Sequence, residues 1–178
     1  MSSGPIWSRR SVRSALVAVA ALLGAAVASA SPKTVPTKLT LDGVGGVIPG
    51  MTEAQVESRW GVRLEVEVLP GSTCGIARLR GYDQYALFER GRLGSVWFRR
   101  GGSTGRGIHP GSTRAQLLKA YPRGLRSQPN HYTPGARDYY LRRARKPRWE
   151  LRIDVSPKGR IVQIAFGDTT VHYIEGCA

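Results

Sequence analysis

Gly46-Val47-Ile48-Pro49-Gly50-Met51-Thr52-Glu53-Ala54-Gln55-Val56 returns further along the chain as Gly107-Ile108-His109-Pro110-Gly111-Ser112-Thr113-Arg114-Ala115-Gln116-Leu117. Gly, Pro, Gly, Thr, Ala and Gln are identical in the two copies. Beyond them, Trp60-Gly61 answers Tyr121-Pro122, an aromatic followed by a chain breaker. A second correspondence sets Gly91-Arg92-Leu93-Gly94-Ser95-Val96-Trp97-Phe98 against Gly159-Arg160-Ile161-Val162-Gln163-Ile164-Ala165-Phe166. Self-similarity of this kind is the mark of duplicated supersecondary units.

The first motif reads as a helix start. Pro49-Gly50 and Pro110-Gly111 turn the chain, the hydroxyls of Thr52 and Thr113 can cap the amides that follow, and Ala-Gln-Val or Ala-Gln-Leu opens an apolar face with Gln55 or Gln116 inside it. Glu53 places a negative charge in the first turn of the first copy, where it suits the helix dipole, whereas Arg114 in the second does not. Gly61 and Pro122 stop both helices after about eight to ten residues, too short to stand without packing.

Strand patterns follow each helix. Arg63 to Val68 alternates, with Leu64, Val66 and Val68 expected inward and Glu65 and Glu67 outward. Pro70 to Thr73 turns, and Cys74 to Arg80 returns with arginines facing those glutamates, an arrangement that contributes roughly 0.2–1 kcal/mol per exposed pair. Gln84 to Phe88 and Leu93 to Phe98, joined at Arg90-Gly91, complete the unit. The second unit repeats the plan with Asp138 to Arg142, Arg148 to Val155 and Arg160 to Phe166. There Trp149, Leu151, Ile153 and Val155 are expected inward, while Arg148, Glu150, Arg152 and Asp154 alternate toward water. Gly101-Gly102-Ser103-Thr104-Gly105 is the seam. The pattern predicts an α+β fold of two tandem units, residues 31–103 and 104–178, each with short helices packed on an antiparallel sheet.

Pro49 to Val56 also resembles the Gly-Met-Thr-x-x-Gln-Val opening shared by the small outer-membrane assembly lipoproteins and the secreted β-lactamase inhibitory protein, and Pro110 to Leu117 matches it more loosely. The resemblance covers roughly residues 40 to 168 and implies the tandem layout, together with a role in binding or inhibiting another protein. The chain departs from these relatives in lacking the lipid-bearing cysteine of the one and the disulfide in each unit of the other. No inhibitory loop matches residue by residue.

Residues 1–30 carry Arg9, Arg10 and Arg13, then an apolar run from Ala15 to Ala28 and Ala28-Ser29-Ala30, the three-part layout of a secretory signal peptide. The run is shorter than the ~20 residues of a membrane span, and no later stretch supplies one, so the mature chain is expected to be secreted with no transmembrane segment. In an oxidising compartment Cys74 and Cys177 read as one disulfide, which at a loop of about 100 residues is worth up to ~4.7 kcal/mol. The rival reading, Cys74 as a nucleophile, needs a base from His109, His131 or His172, none of which sits in a recognisable signature.

Catalytic signatures are missing: there is no nucleophile elbow, no paired-histidine zinc motif and no phosphate-binding loop with its lysine. The histidines lie far apart in sequence, so no metal and no cofactor are expected, and Glu65 and Glu67 read as solvated charge rather than a glycosidase pair. The glycine-rich run ending at Arg106-Gly107 reads as a seam before it reads as an anion cradle. Charge is the one global signal. Lys plus Arg number 27 against 12 Asp plus Glu, net +15, and net +12 once the leader's three arginines are set aside. Arg142, Arg143, Arg145, Lys146 and Arg148 cluster between two strands. Such a tip can meet an anionic envelope polymer or lipid. Export argues against nucleic acid. The chain is thus expected to be a non-enzymatic binding module whose partner is another protein or, alternatively, an anionic envelope component.

Overall fold

Thr52 and Thr113 each end an extended segment and turn the chain into a helix. The Thr52 hydroxyl accepts from the Gln55 amide, and the Gln55 side chain accepts from the Thr52 amide at 2.8 Å. Thr113 and Gln116 repeat the exchange at 3.1 and 2.7 Å. These are reciprocal capping boxes, each satisfying two amides that the helix itself leaves without acceptors. They open α1, Glu53–Trp60, and α2, Arg114–Ala120. Gly61 ends α1 at a φ of 67°, a left-handed cap that a Cβ would strain. Tyr121 closes α2 ahead of Pro122, whose ring disfavours helical backbone in the residue before it.

The computed structural model describes residues 35–68, 70–79, 83–143, 146–173 and 177; the leader expected over 1–30 lies outside them. In chain order the strands are β1 Lys38–Thr40, β2 Gly43–Val44, β3 Val66–Val68, β4 Cys74–Arg78, β5 Gln84–Glu89, β6 Arg92–Phe98 and β7 Ser103–Thr104. Past α2 come β8 Leu125–Pro129, β9 Arg137–Arg143, β10 Lys146–Val155 and β11 Ile161–Gly167, then a 3-10 turn at Thr169–His172. Eight strands form one sheet in the order β3-β4-β5-β6-β11-β10-β9-β8, and β2-β1-β7 form a smaller one.

This overturns the expected α+β layering of helices on two sheets. Among the described residues eleven strands accompany only two α-helices, of eight and seven residues, so the fold is sheet-dominated. Two physical causes act together. Helices of two turns have no stability of their own and cover little area. Two separate four-stranded sheets would each leave the last strand of its unit with an open edge, and open edges are avoided. Instead β6 and β11 pair antiparallel, Ile164 opposite Phe98 and Phe166 opposite Val96, joining the two expected units into one sheet. The glycine-rich seam is not a loose linker either, since Ser103–Thr104 pairs in parallel with Lys38–Leu39.

The main core lies on the helix side of the large sheet. Val96, Phe98, Ile153, Ile164 and Phe166 pack there against Val56 and Trp60 of α1, Leu117 and Tyr121 of α2, and Leu39 and Val44 of the small sheet. The alternation of Trp149, Leu151, Ile153 and Val155 falls inward as expected, with Trp149 half-buried edge-on to Phe166. The first strand of the expected pattern is shorter. Only Val66–Val68 pairs; Leu64 is buried before the strand begins and Val68 is 56% exposed at the sheet's edge. Arg78 does meet Glu67, at 2.7 Å.

A second, smaller core sits on the opposite face: Leu87, Trp97, Tyr140 and Ala165 beneath Val171, closed by a Cys74–Cys177 disulfide. The tail reaches this face because Gly94 leaves room. A Cβ there would stand 2.4 Å from Thr170 Cγ2. The Asp168 amide donates to the Gly94 carbonyl at 2.9 Å, so the 3-10 turn lies directly on β6.

Candidate binding surfaces

The repeated helix-start residues are structural. Gly50 and Gly111 adopt φ of 91° and 96° ahead of their caps. Each is tied to the start of the last strand of its own half: the Gly50 amide donates to Leu93 O and the Gly111 amide to Ile161 O, both at 2.7 Å. Arg92 Nη1 then donates to Gly50 O at 3.0 Å and Arg160 Nη1 to Gly111 O at 3.1 Å. The two motifs that repeat in sequence are therefore in contact in both halves. Gly50 and Gly111 spend their polar groups on this joint, and Thr52, Gln55, Thr113 and Gln116 exchange theirs within the helix caps.

Glu150, Arg152 and Asp154, expected in water, are 4%, 6% and 5% exposed, with Asp138 beside them at 3%. The reason is the tail. Once Cys177 returns to Cys74, the segment after β11 crosses the face to which these residues point. Arg152 answers with every arm: Nε donates to Asp154 Oδ1 at 2.7 Å, Nη2 to Asp138 Oδ2 at 3.2 Å, and Nη1 to the Val171 carbonyl at 2.7 Å. Its guanidinium lies 5.2 Å from the Trp97 ring centroid and 5.9 Å from that of Tyr140. Burial opposes its charge, but Asp154 and Asp138 outweigh that and hold the guanidinium's pKa above its ordinary value. Burial pushes the Asp154 carboxyl up, against the pull of Arg152. Glu150 is taken by Arg142, with His172 Nε2 3.3 Å from its other oxygen.

Flat groups continue across this face. Tyr85 stacks on Trp97 at 5.7 Å between centroids, and Tyr140 on His172 at 4.6 Å. Burial raises both tyrosines to about 12, Arg99 working against it at Tyr85 and Arg152 at Tyr140. Arg99 lies 6.0 Å over the Tyr85 ring and touches Gln163; Arg126 projects from the next-row edge strand β8, opposite Tyr140. Both arginines are exposed, and neither has a carboxylate partner among the described residues. Asp138, Glu150 and Asp154 on this face are thus inside and bound together with Arg152, while Arg99 and Arg126 are outside.

The basic loop is only partly positioned. Arg143 stands opposite Lys146 at the tip of the β9–β10 hairpin, with Arg148 two residues along β10. Arg145 lies outside the described residues. Arg142, expected to be part of the anionic-partner site, is instead committed to buried Glu150. Tyr139 and Tyr140, its aromatic neighbours, are 3% and 6% exposed and belong to the cores. Sequence reasoning missed the Arg152 network altogether, although the expected disulfide carried the signal: a tail drawn back to β4 has to cover something.

A separate cleft of about 330 Å³ opens on the helix side, between Thr40-Leu41, Gly105-Arg106 and the end of α2 at Tyr121. Among the described residues no three His, Cys, Asp or Glu side chains gather as a metal-binding set, and no helix is long and apolar enough to cross a membrane.

No protein-family model and no curated protein matches this chain. Among solved structures it is similar to a DUF4309 family protein (YjgB) from Bacillus subtilis, at 15% identity over 71% of this chain and 84% of that one, with a TM-score of 0.46. It is also similar to an extracellular protein containing an SCP domain from Bacillus anthracis, at 10% identity over 67% of this chain and 43% of that one, with a TM-score of 0.39.

Proposed function

We propose that this chain is an exported, non-enzymatic binding protein that holds an acidic protein partner against the exposed arginines of the eight-stranded sheet. The observation that carries this reading is the layering of charge on one face. Asp138, Glu150 and Asp154 are buried and paired, while Arg99 is exposed beside half-buried Tyr85 and Arg126 is exposed on the edge strand β8, opposite Tyr140. Arginine and tyrosine on a braced surface are the side chains that dominate protein interfaces. The disulfide and the buried Arg152 network keep that surface from rearranging, which lowers the ordering cost of association. The secretory layout of residues 1–30 and the Cys74–Cys177 bridge support export.

The test starts from partners captured among exported proteins and then measures the purified pair. Arg99→Glu and Arg126→Glu together should weaken association by at least about tenfold, chiefly in the on-rate, with the loss growing at low salt. A partner held equally well by the double variant would sink this surface.

One observation favours a second reading, an anionic envelope polymer or lipid as ligand. In the backbone register of the β9–β10 hairpin Arg143 stands opposite Lys146, with Arg148 two positions further along β10, which supports that reading. Co-sedimentation of the exported protein with isolated envelope should then fall steeply between low and high salt. It should also be abolished by replacing Arg143, Arg145, Lys146 and Arg148 with Ser.

A further inference from the structure

The two halves treat the aromatic that ends each helix differently. In the first, Trp60 is 3% exposed and its indole N–H donates to Val44 O at 2.9 Å, so the place beside α1 is filled and its polar atom satisfied. In the second, Tyr121 is 7% exposed, yet its hydroxyl makes no hydrogen bond among the described residues, and it lines the cleft of about 330 Å³.

Two arginines border the same cleft. Arg106 lies with its guanidinium 5.1 Å from the Tyr121 ring centroid and is held there by donating from Nη1 to the Ala120 carbonyl at the end of α2. The turn that carries it is fixed: the Gly105 amide donates to Leu39 O at 2.8 Å, and the Gly107 amide to Thr104 O at 2.9 Å. Arg123 is exposed and has no ion pair among the described residues. Leu41, Leu141 and Leu151 supply its aliphatic lining. Two arginines, a tyrosine and three leucines around one cleft match one kind of ligand, and the volume falls at the small end of the range for small-molecule sites.

We propose that this cleft binds a small free amphipathic anion, a carboxylate on a short apolar chain. The head group lies between Arg106, Arg123 and the Tyr121 hydroxyl, and the chain rests on Leu41, Leu141 and Leu151. Charge-assisted hydrogen bonds from guanidinium to carboxylate supply the selectivity for an anionic head. This site is on the helix side of the sheet, away from Arg99 and Arg126, so it stands or falls separately from the protein-binding face.

The probe is decanoate below its micelle concentration, with decan-1-ol as the same chain carrying a neutral head. Calorimetric titration of the whole exported protein should give single-site, saturable binding of decanoate, with the alcohol at least about tenfold weaker. Arg123→Gln should weaken decanoate by about tenfold and Tyr121→Phe by about threefold, while Arg99→Gln, on the other face, leaves it unchanged. Arg106→Gln also removes the tie to Ala120, so it is scored only if its melting temperature matches that of the parent; Arg123→Gln decides the matter without it. The proposal is overturned if decan-1-ol binds as well as decanoate, if Arg123→Gln has no effect, or if Arg99→Gln weakens binding as much as Arg123→Gln. Binding to anionic vesicles with none to free decanoate also overturns it.

Discussion

Arg152, in the middle of β10, donates from Nη1 to the carbonyl of Val171 at 2.7 Å, so a guanidinium rooted in the sheet holds the chain's C-terminal 3-10 turn from below. Its remaining nitrogens are taken by Asp154 and Asp138. Removing one member of such a set leaves buried charge without a counter-charge, which costs about 3–5 kcal/mol. Arg152→Met should therefore lower the free energy of unfolding by about that much in a guanidinium titration. The triple change Arg152→Met, Asp138→Asn, Asp154→Asn should recover most of it, because no unpaired charge remains. Equal stability of the single and triple variants would show that the pairing itself is not what matters.

The capping threonines offer a cleaner local test. Thr52→Ala and Thr113→Ala each remove the acceptor for one helix amide, at 3.4 and 3.1 Å respectively, and each should cost about 1 kcal/mol. In a chain of this size that is a fall of about 2–4 °C in melting temperature, with additivity in the double variant because the sites are far apart.

Cys74 and Cys177 are separated by 103 residues, so their bridge restrains the unfolded chain strongly. Cys74→Ser with Cys177→Ser should destabilise by up to ~4.7 kcal/mol. Because the tail roofs Trp97, the variant should also shift tryptophan emission to the red before global unfolding. Loss of stability without that early shift would mean that the tail stays in place unbridged.

Tyr85 and Tyr140 lead to a pH prediction whose sign can be worked out. Both folded-state pKa values are raised by burial to about 12 from an ordinary 10.0. Between those values the unfolded chain has released its phenolic protons while the folded chain keeps them, so unfolding is favoured as pH rises. Stability is complete below about pH 10 and declines from there toward about pH 12. Spectrophotometric titration should show a late pair of phenols, and Tyr85→Phe with Tyr140→Phe should flatten stability over that window.

How much of this was legible in advance differs from residue to residue. The helix starts at Thr52 and Thr113 were readable because a cap is local: a hydroxyl, three residues of spacing and a turn before it. The reciprocal role of Gln55 and Gln116 lay in the same few residues and went unread. Period-two alternation found Leu151, Ile153 and Val155 on the core side, yet sent Glu150, Arg152 and Asp154 to water. Alternation reports that a strand has two different faces; it carries no information on whether a later segment covers the second one.

The same limit explains the fold class. Each half reads as helix then strands, and nothing in either half states that β6 and β11 are each other's missing neighbours. That pairing joins residues far apart in sequence and is decided by edge hydrogen bonding and by the shared core around Phe98, Ile164 and Phe166. The cleft at Tyr121 is a further case. Arg106 was noted as the arginine beside a glycine-rich run, but Tyr121, Arg123 and Leu141 meet it only through the packing of β7, α2 and β9.

The amino-acid sequence by itself determined the local devices: two capped helix starts, their stops, the strand alternation, the turn at Arg90-Gly91 and the pair of cysteines. Each depends on interactions among residues a few positions apart, or on there being a single possible partner. Tertiary structure alone decided that the two expected units share one sheet, that the tail turns an apparently solvated row of charges into a buried network, and which arginines are left exposed. Those outcomes rest on contacts between distant segments, whose free energy exists only once the chain has closed on itself.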